Sequence, residues 1–271
     1  MSFYTSLSGL KAAQTDLSAI SNNIANVGST GFKKSRAEFG DMFASAPTQT
    51  TKMVAGQGTR LNGIKQQFTQ GTLEGTDKTL DLGIAGEGFF VVEGREISYT
   101  RNGAFAVDPN RNVVDTTGAK LKLLPVDASG NVTSTAFGSM IDFVLPAHPA
   151  SNPSAALSNI SVDIEGLVVA TYSDGSSENI GKVAMASFTS LEGLKPVGDA
   201  HWQSTGESGP PDIGSAVSGS RGSIRSGTLE RANVDVTEEL VALISAQRNF
   251  QANAKAIETS GNMTQTIFNI R

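Results

Sequence analysis

SNNIANVGSTGFKKSRAEF, residues 21–39, decides how the chain is divided. Asn22, Asn23 and Asn26 crowd the end of an apolar helical pattern. Asparagine is a mediocre helix former because its side chain competes for nearby backbone groups, so three of them there ask for a reason. Gly28 and Gly31 then terminate the pattern, and Phe32 with Lys33, Lys34 and Arg36 opens a stretch of different texture. Upstream, Phe3, Leu7, Leu10, Leu17, Ile24 and Val27 step in threes, fours and sevens, with Ile20 beside them. This is a helical stripe with an approximate heptad. Residues 1–32 read as an N-terminal helix whose only charged residues are Lys11 and Asp16.

The last forty residues, 232–271, have the same texture. Asp235 followed by Glu238 reads as a capping box, and Glu239 adds charge of the favourable sign at a helix N-terminus. Val236, Leu240, Leu243, Phe250, Ala254 and Ile257 continue in threes and fours. Met263, Ile267 and Ile270 carry the stripe on after a shift in phase near Gly261. No proline interrupts it, so the spacing predicts one long helix.

Between the helical ends, residues 33–79 are polar and weakly periodic and read as an extended linker domain. Residues 80–231 read as a central β domain of short strands. DPNRN, DASGN and SDGSS mark its hairpin turns. The segment 125–159, with four prolines and little alternation, reads as an irregular excursion from the sheet. The expected fold class is α+β, with long N- and C-terminal helices that pair as a coiled-coil-like inner domain beside a central all-β domain.

The charge balance, 21 Lys+Arg against 26 Asp+Glu, and the absence of any basic block argue against nucleic acid as a partner. With no cysteine there is no disulfide, thiolate metal site or thiol catalysis. The N-terminus lacks the basic and apolar regions of a Sec signal peptide, and no apolar run is long enough for membrane insertion. His148 and His201 have no helical histidine partner, and GIAGEG lacks the Lys-Ser/Thr ending of a phosphate loop. DPNRN departs from a calcium loop at Val113 and Ala119. No catalytic residue, cofactor or metal is expected.

The backs of the two helices are the informative surface. A solvated helix carries charge on its outer face, whereas here Ser8, Ala12, Ala13, Thr15, Ser18 and Ala19 occupy it. Small residues allow close approach, and amides hydrogen-bond across an interface without the desolvation cost of a charge. Two apolar stripes alone bury too little surface to offset the ordering of both helices. Contacts between copies of the chain are therefore expected at Leu7, Leu10, Leu17, Ile20, Ile24, Val27, Leu240, Leu243, Phe250, Ala254, Ile257 and Ile267. Asn22, Asn23, Asn26 and Gln247 join them, and Gly28, Gly31 and Phe32 act as the turn into the linker.

These features together resemble one family. SLSGLKAAQTDLSAISNNIANVGSTGFKKSRAEF, TQGTLEGTDKTLDLGIAGEGFFVV and SGTLERANVDVTEELVALISAQRNFQANAKAIETSGNM look like the rod–hook axial proteins of the bacterial flagellum. ISVDIEGLVVATYSDGSSENIGKVAMASFTSLEGLKPVGDAHWQSTGESG and GSTGFKKSRAEFGDMF resemble the hook-type members. Many hook-type members carry a large outer β domain where residues 125–159 stand, so the resemblance is to a short form. The resemblance implies a structural subunit of a hollow, bendable tube that transmits torque, with terminal helices lining its inside. It implies partners among copies of itself, rod and hook-filament junction proteins, the hook cap and the flagellar type III export apparatus, outside the cell surface. A distal rod subunit of a straight shaft is the alternative, and a β-rich surface adhesin a more distant one.

Overall fold

The computed structural model describes residues 2–43, 56–149 and 154–269, and the side chains of all of these except 2, 267 and 268. It divides into two units. The first holds Met1–Val27, Lys34–Gln67 and Val234–Arg271; the second holds Gly28–Lys33 and Phe68–Asn233.

In the first unit, helix α1 (Ser2–Ala25) and helix α2 (Val236–Asn269) lie against each other, with the strands β1 (Ser35–Phe43) and β2 (Gly56–Gln66) against α1. The packing follows the stripe only in part: of its residues Ile20 is buried and Leu7, Leu10, Leu17 and Ile24 are half-buried, whereas Ala13 and Ala19, expected on the outer face, are buried because small side chains let the neighbouring elements approach closely. The helices run antiparallel. Asn23 near the end of α1 bonds Glu239 in the first turn of α2, whereas Gly9 abuts Asn253 several turns further on. A Cβ on Gly9 would stand 2.8 Å from Asn253 Oδ1, so a side chain at position 9 would displace the neighbouring helix or its amide. Asp235 caps α2, its Oδ1 accepting from the N–H groups of Thr237 at 2.7 Å and Glu238 at 3.2 Å.

β1 and β2 pair antiparallel from Ser35↔Gln66 to Phe43↔Gly56, with irregularities between Glu38 and Phe39 and between Asp41 and Phe43. Such bulges move side chains from one face to the other and blunt period-two alternation. The polar stretch read as a linker therefore holds two long paired strands.

The second unit is built on one large sheet. Its main path runs Leu157–Val162, Leu167–Tyr172, Ser177–Val183, Lys120–Leu124, Phe89–Glu93, Ile97–Thr100, His201–Gln203 and Lys195–Gly198. The central strand Phe89–Glu93 is apolar at four consecutive positions because both of its faces are covered. Phe90 and Val92 pack with Leu121, Leu123, Val113 and Phe143, whereas Phe89 and Val91 pack with Tyr99, Leu124, Trp202 and Ile213.

Asp108, Asp127 and Asp174 organise the three expected turns. Each carboxylate accepts backbone N–H groups from residues two to four places on. Gly130 and Gly175 supply the left-handed positions in two of them, at φ 81° and 82°. The proline-bearing stretch 125–159 contributes more than a connection. Ile141–Asp142 pairs with Lys120–Leu124, and Phe143 and Leu145 are buried in the core.

Candidate assembly surface

The terminal helices carry the candidate surface. Within α2 only Glu239 and Ala246 are buried among the residues whose side chains are described. Leu243, Phe250, Ala254 and Ile257 are half-buried against their own unit. Val236, Leu240 and Ile244, spaced by four, lie together on an exposed strip with Val241 beside them. Leu240 is 45% exposed, Ile244 50% and Val241 61%, which are large values for apolar side chains in the middle of a helix. Gln247 follows at the polar end of that strip and is exposed. Ile267 lies outside the described side chains.

Each of the asparagines does something different. Asn23 is buried, and its amide is occupied within the chain. Nδ2 donates to the Ser35 carbonyl at 2.9 Å and to Glu239 Oε2 at 3.1 Å, while Oδ1 accepts from the Ser35 N–H at 2.8 Å. Asn26 Nδ2 donates to the Asn22 carbonyl at 2.9 Å, closing the last turn of α1. Asn22 is exposed and Val27 half-buried.

Beside Asn23 lies a groove of about 410 Å³ bounded by Asp16, Ile20, Lys34, Arg36 and Glu238. Lys34 Nζ stands 3.4 Å from Glu238 Oε2 at its rim. Burial pushes the Asp16 carboxyl above the usual carboxylate range, against the pull of the Arg36 guanidinium.

Among the residues expected to turn the chain outward, Gly28 is exposed, whereas Gly31 is buried in the second unit at φ 70°. A Cβ there would stand 2.6 Å from the Asn102 nitrogen, so this glycine is required by both conformation and space. Phe32 is half-buried, and its carbonyl accepts from Asn233 N–H at 3.4 Å. Lys33, grouped by sequence with a basic run, is completely buried.

His201 is also buried, and both of its ring nitrogens face acceptors. Nε2 lies 2.6 Å from Asp115 Oδ2, and Nδ1 2.8 Å from the Asp199 carbonyl. An imidazole with two acceptors donates twice only as the cation. Burial opposes that charge, but the hydrogen bonds that the ring donates to the Asp115 carboxylate and the Asp199 carbonyl outweigh it and raise the His201 pKa above its ordinary value. Burial likewise opposes the Asp115 charge, and His201, Thr117 and the Ala119 N–H reverse that, holding Asp115 below the usual carboxylate range. Among the described residues no group of three or more His, Cys, Asp or Glu could hold a metal, and none of the helices is long and apolar enough to cross a membrane.

Three family models match the chain. They are the flagella basal body rod protein model over residues 3–33, the flagellar hook protein FlgE/F/G D1 domain over 83–170, and the C-terminal model of the flagellar basal body rod FlgEFG proteins over 225–270. The flagellar basal-body rod protein FlgG of Borreliella burgdorferi is 32% identical over 283 residues, covering 99% of this chain and 97% of that one. FlgG of Bacillus subtilis is 31% identical over 282 residues, covering 100% and 98%. The flagellar hook protein FlgE of Escherichia coli is 27% identical over 409 residues, covering 100% of both chains. Among solved structures, the Helicobacter pylori flagellar hook protein FlgE2 aligns with 49% of this chain and 38% of its own, at 17% identity and a TM-score of 0.25, too slight a likeness to carry an argument.

Proposed function

The chain belongs to the family of flagellar rod and hook proteins, structural subunits of the bacterial flagellum, and from that premise we propose that it is a hook subunit of a short form, polymerising into a hollow, bendable tube between rod and filament. The alignment with the E. coli hook protein, which takes in 100% of both chains at 27% identity, supports the choice of hook, with positions beyond this chain's 271 residues left empty. The rod relatives have the higher identities, 32% and 31%. A specific observation favours the second reading, a distal rod subunit of a straight shaft: the rod relatives align over 283 and 282 positions, close to this chain's own length.

Self-assembly rests on the terminal helices. The strip of Val236, Leu240 and Ile244 is apolar and uncovered in the single chain, and neighbouring copies covering it would add the burial that the helix pair lacks. Heterologous contacts repeated with a constant rotation and rise make such a tube. We read α1 and α2 as a coiled-coil-like layer completed by other copies, with Leu7, Leu10, Asn22, Leu243, Phe250 and Ile257 at or beside its seams. Rod and junction proteins would meet the ends of the tube, and subunits would reach the growing end at the hook cap through the flagellar type III apparatus, outside the cell surface.

Electron microscopy of the purified chain, concentrated until it assembles, tests the reading. Curved or bendable hollow tubes are expected. Straight, rigid tubes would replace hook by distal rod, and a monomer that never assembles would remove the polymer reading altogether.

A further inference from the structure

We propose that Lys33, Arg101 and Glu230 form a charge lock in the second unit, which makes the seating of residues 28–33 conditional on the seating of the strand Thr228–Glu230. The three side chains are buried: Lys33 and Glu230 are fully inaccessible, and Arg101 is 3% exposed. Lys33 Nζ donates to Glu230 Oε1 at 2.6 Å and to the Thr69 carbonyl at 2.8 Å. Arg101 Nη1 donates to Glu230 Oε2 at 3.2 Å, and the Gly71 N–H donates to Oε1 at 2.8 Å. Glu230 thus takes donors from three separate segments.

The charge count gives the device its logic. Two buried cations share one buried carboxylate. Burial first, and then the like charge of Arg101, pulls the Lys33 amine below the ordinary lysine range, with Glu230 opposing both. Besides Glu230, Arg101 has the Phe89 ring, whose centre lies 5.2 Å from its guanidinium, and the charge of the exposed Glu87, while its Nε has no hydrogen-bond partner among the described residues. Without Glu230, Lys33 and Arg101 would meet as like charges out of reach of water, an arrangement that a folded core does not tolerate. Lys33 cannot settle in its buried position until Glu230, 197 residues later, has settled in its own.

Backbone bonds follow the same two partners. The Gly31 N–H donates to the Glu230 carbonyl at 2.8 Å, and the Asn233 N–H donates to the Phe32 carbonyl at 3.4 Å. The segment that follows α1 in the chain and the segment that precedes α2 are therefore seated together or released together. This inference stands independently of whether the polymer is hook or rod.

Hydrogen exchange on the full-length dilute monomer tests it, with Glu230→Gln, Lys33→Met and the double variant. Glu230→Gln keeps size and one acceptor but removes the anion. It is expected to speed exchange at residues 29–33 and 69–72 by tenfold or more, with 89–93 and 120–124 unchanged. Adding Lys33→Met removes one of the two stranded cations and is expected to recover at least threefold of that loss, although it deletes a further hydrogen bond. Wild-type protection at 29–33 in Glu230→Gln would overturn the lock, as would a double variant that exchanges as fast as Glu230→Gln or faster. Should Glu230→Gln fail to fold, a folded double variant supports the lock and an unfolded one overturns it.

Discussion

Asn23 holds both backbone groups of Ser35: its Nδ2 donates to the Ser35 carbonyl and its Oδ1 accepts from the Ser35 N–H, at 2.9 and 2.8 Å. One side-chain amide thereby replaces a strand partner for the first residue of β1. The same Nδ2 reaches Glu239 of α2, so a single buried residue joins both helices and the strand pair of the first unit. A carboxylate accepting from a neutral amide makes a charge-assisted bond, stronger than the neutral kind.

Replacing Asn23 separates its two roles. Asn23→Ala leaves the Ser35 groups without that partner, which costs about 1–3 kcal/mol where they are shielded from water. Asn23→Asp is expected to be worse, because it turns an acceptor toward the Ser35 carbonyl and sets a second carboxylate against Glu239. Exchange at residues 20–26 and 35–39 reads both effects. An Asn23→Asp variant as protected there as the wild type would show that the amide is incidental.

Of Gly28 and Gly31, which follow α1, Gly31 is the one whose backbone demands glycine. At φ 70°, with a Cβ position 2.6 Å from the Asn102 nitrogen and 2.7 Å from the Arg101 carbonyl carbon, alanine meets strain and collision together. The left-handed conformation alone costs about 1–2 kcal/mol. Gly31→Ala is expected to raise exchange at 29–33, whereas Gly28→Ala, with open space around the Cβ position, is expected to leave it unchanged.

How much of this the sequence carried depends on what signals each element. The stripes of α1 and α2 were legible because one helix face is apolar over many turns. The hairpin turns were legible because Asp108, Asp127 and Asp174 bind their own backbone, a local event. β1 and β2 were not: bulges near Phe39 and Phe43 interrupt their alternation, and Phe43 and Leu61 lie on exposed positions. Phe143 and Leu145 were hidden among prolines in a stretch that looked irregular. In the sequence Lys33 is only one of a basic run with Lys34 and Arg36, because its partner lies at Glu230 and nothing local announces so distant a pair. Asn23 is conspicuous in the sequence at the end of an apolar helix, but its bonds to Ser35 and Glu239 depend on the folded arrangement.

The His201–Asp115 pair predicts a pH window. His201 has a raised folded pKa, so its contribution is complete below the unfolded value of about 6.5 and is lost as pH rises through the folded one. Asp115 has a depressed folded pKa, so its contribution is present above about 3.9 and is lost as pH falls through the folded one. Both are present together between about pH 4 and 6.5. Removing one partner of a buried pair costs about 3 kcal/mol or more. The gap in urea midpoint between wild type and His201→Gln should be widest near pH 5 and narrow toward pH 9. A gap independent of pH would mean that the imidazole is held neutral.

Assembly offers the sharpest separation of surface from core. Leu240 and Ile244 are about half exposed, so an aspartate at either position meets water in the monomer and costs the first unit little. In a tube whose neighbouring copies cover the Val236–Leu240–Ile244 strip, the same carboxylate is stripped of water with no cation beside it, which costs several kcal/mol per subunit. Leu240→Asp and Ile244→Asp are therefore expected to keep the wild-type melting of the β unit and to abolish tubes at concentrations where the wild type assembles. Ile20→Asp is the contrasting control: Ile20 is 6% exposed within its own unit, so its variant should lose helical circular dichroism before any question of assembly arises. Normal tubes from both surface variants would move the seam off this strip, to the half-buried positions Leu10 and Leu243, where the corresponding aspartate variants would be tried next.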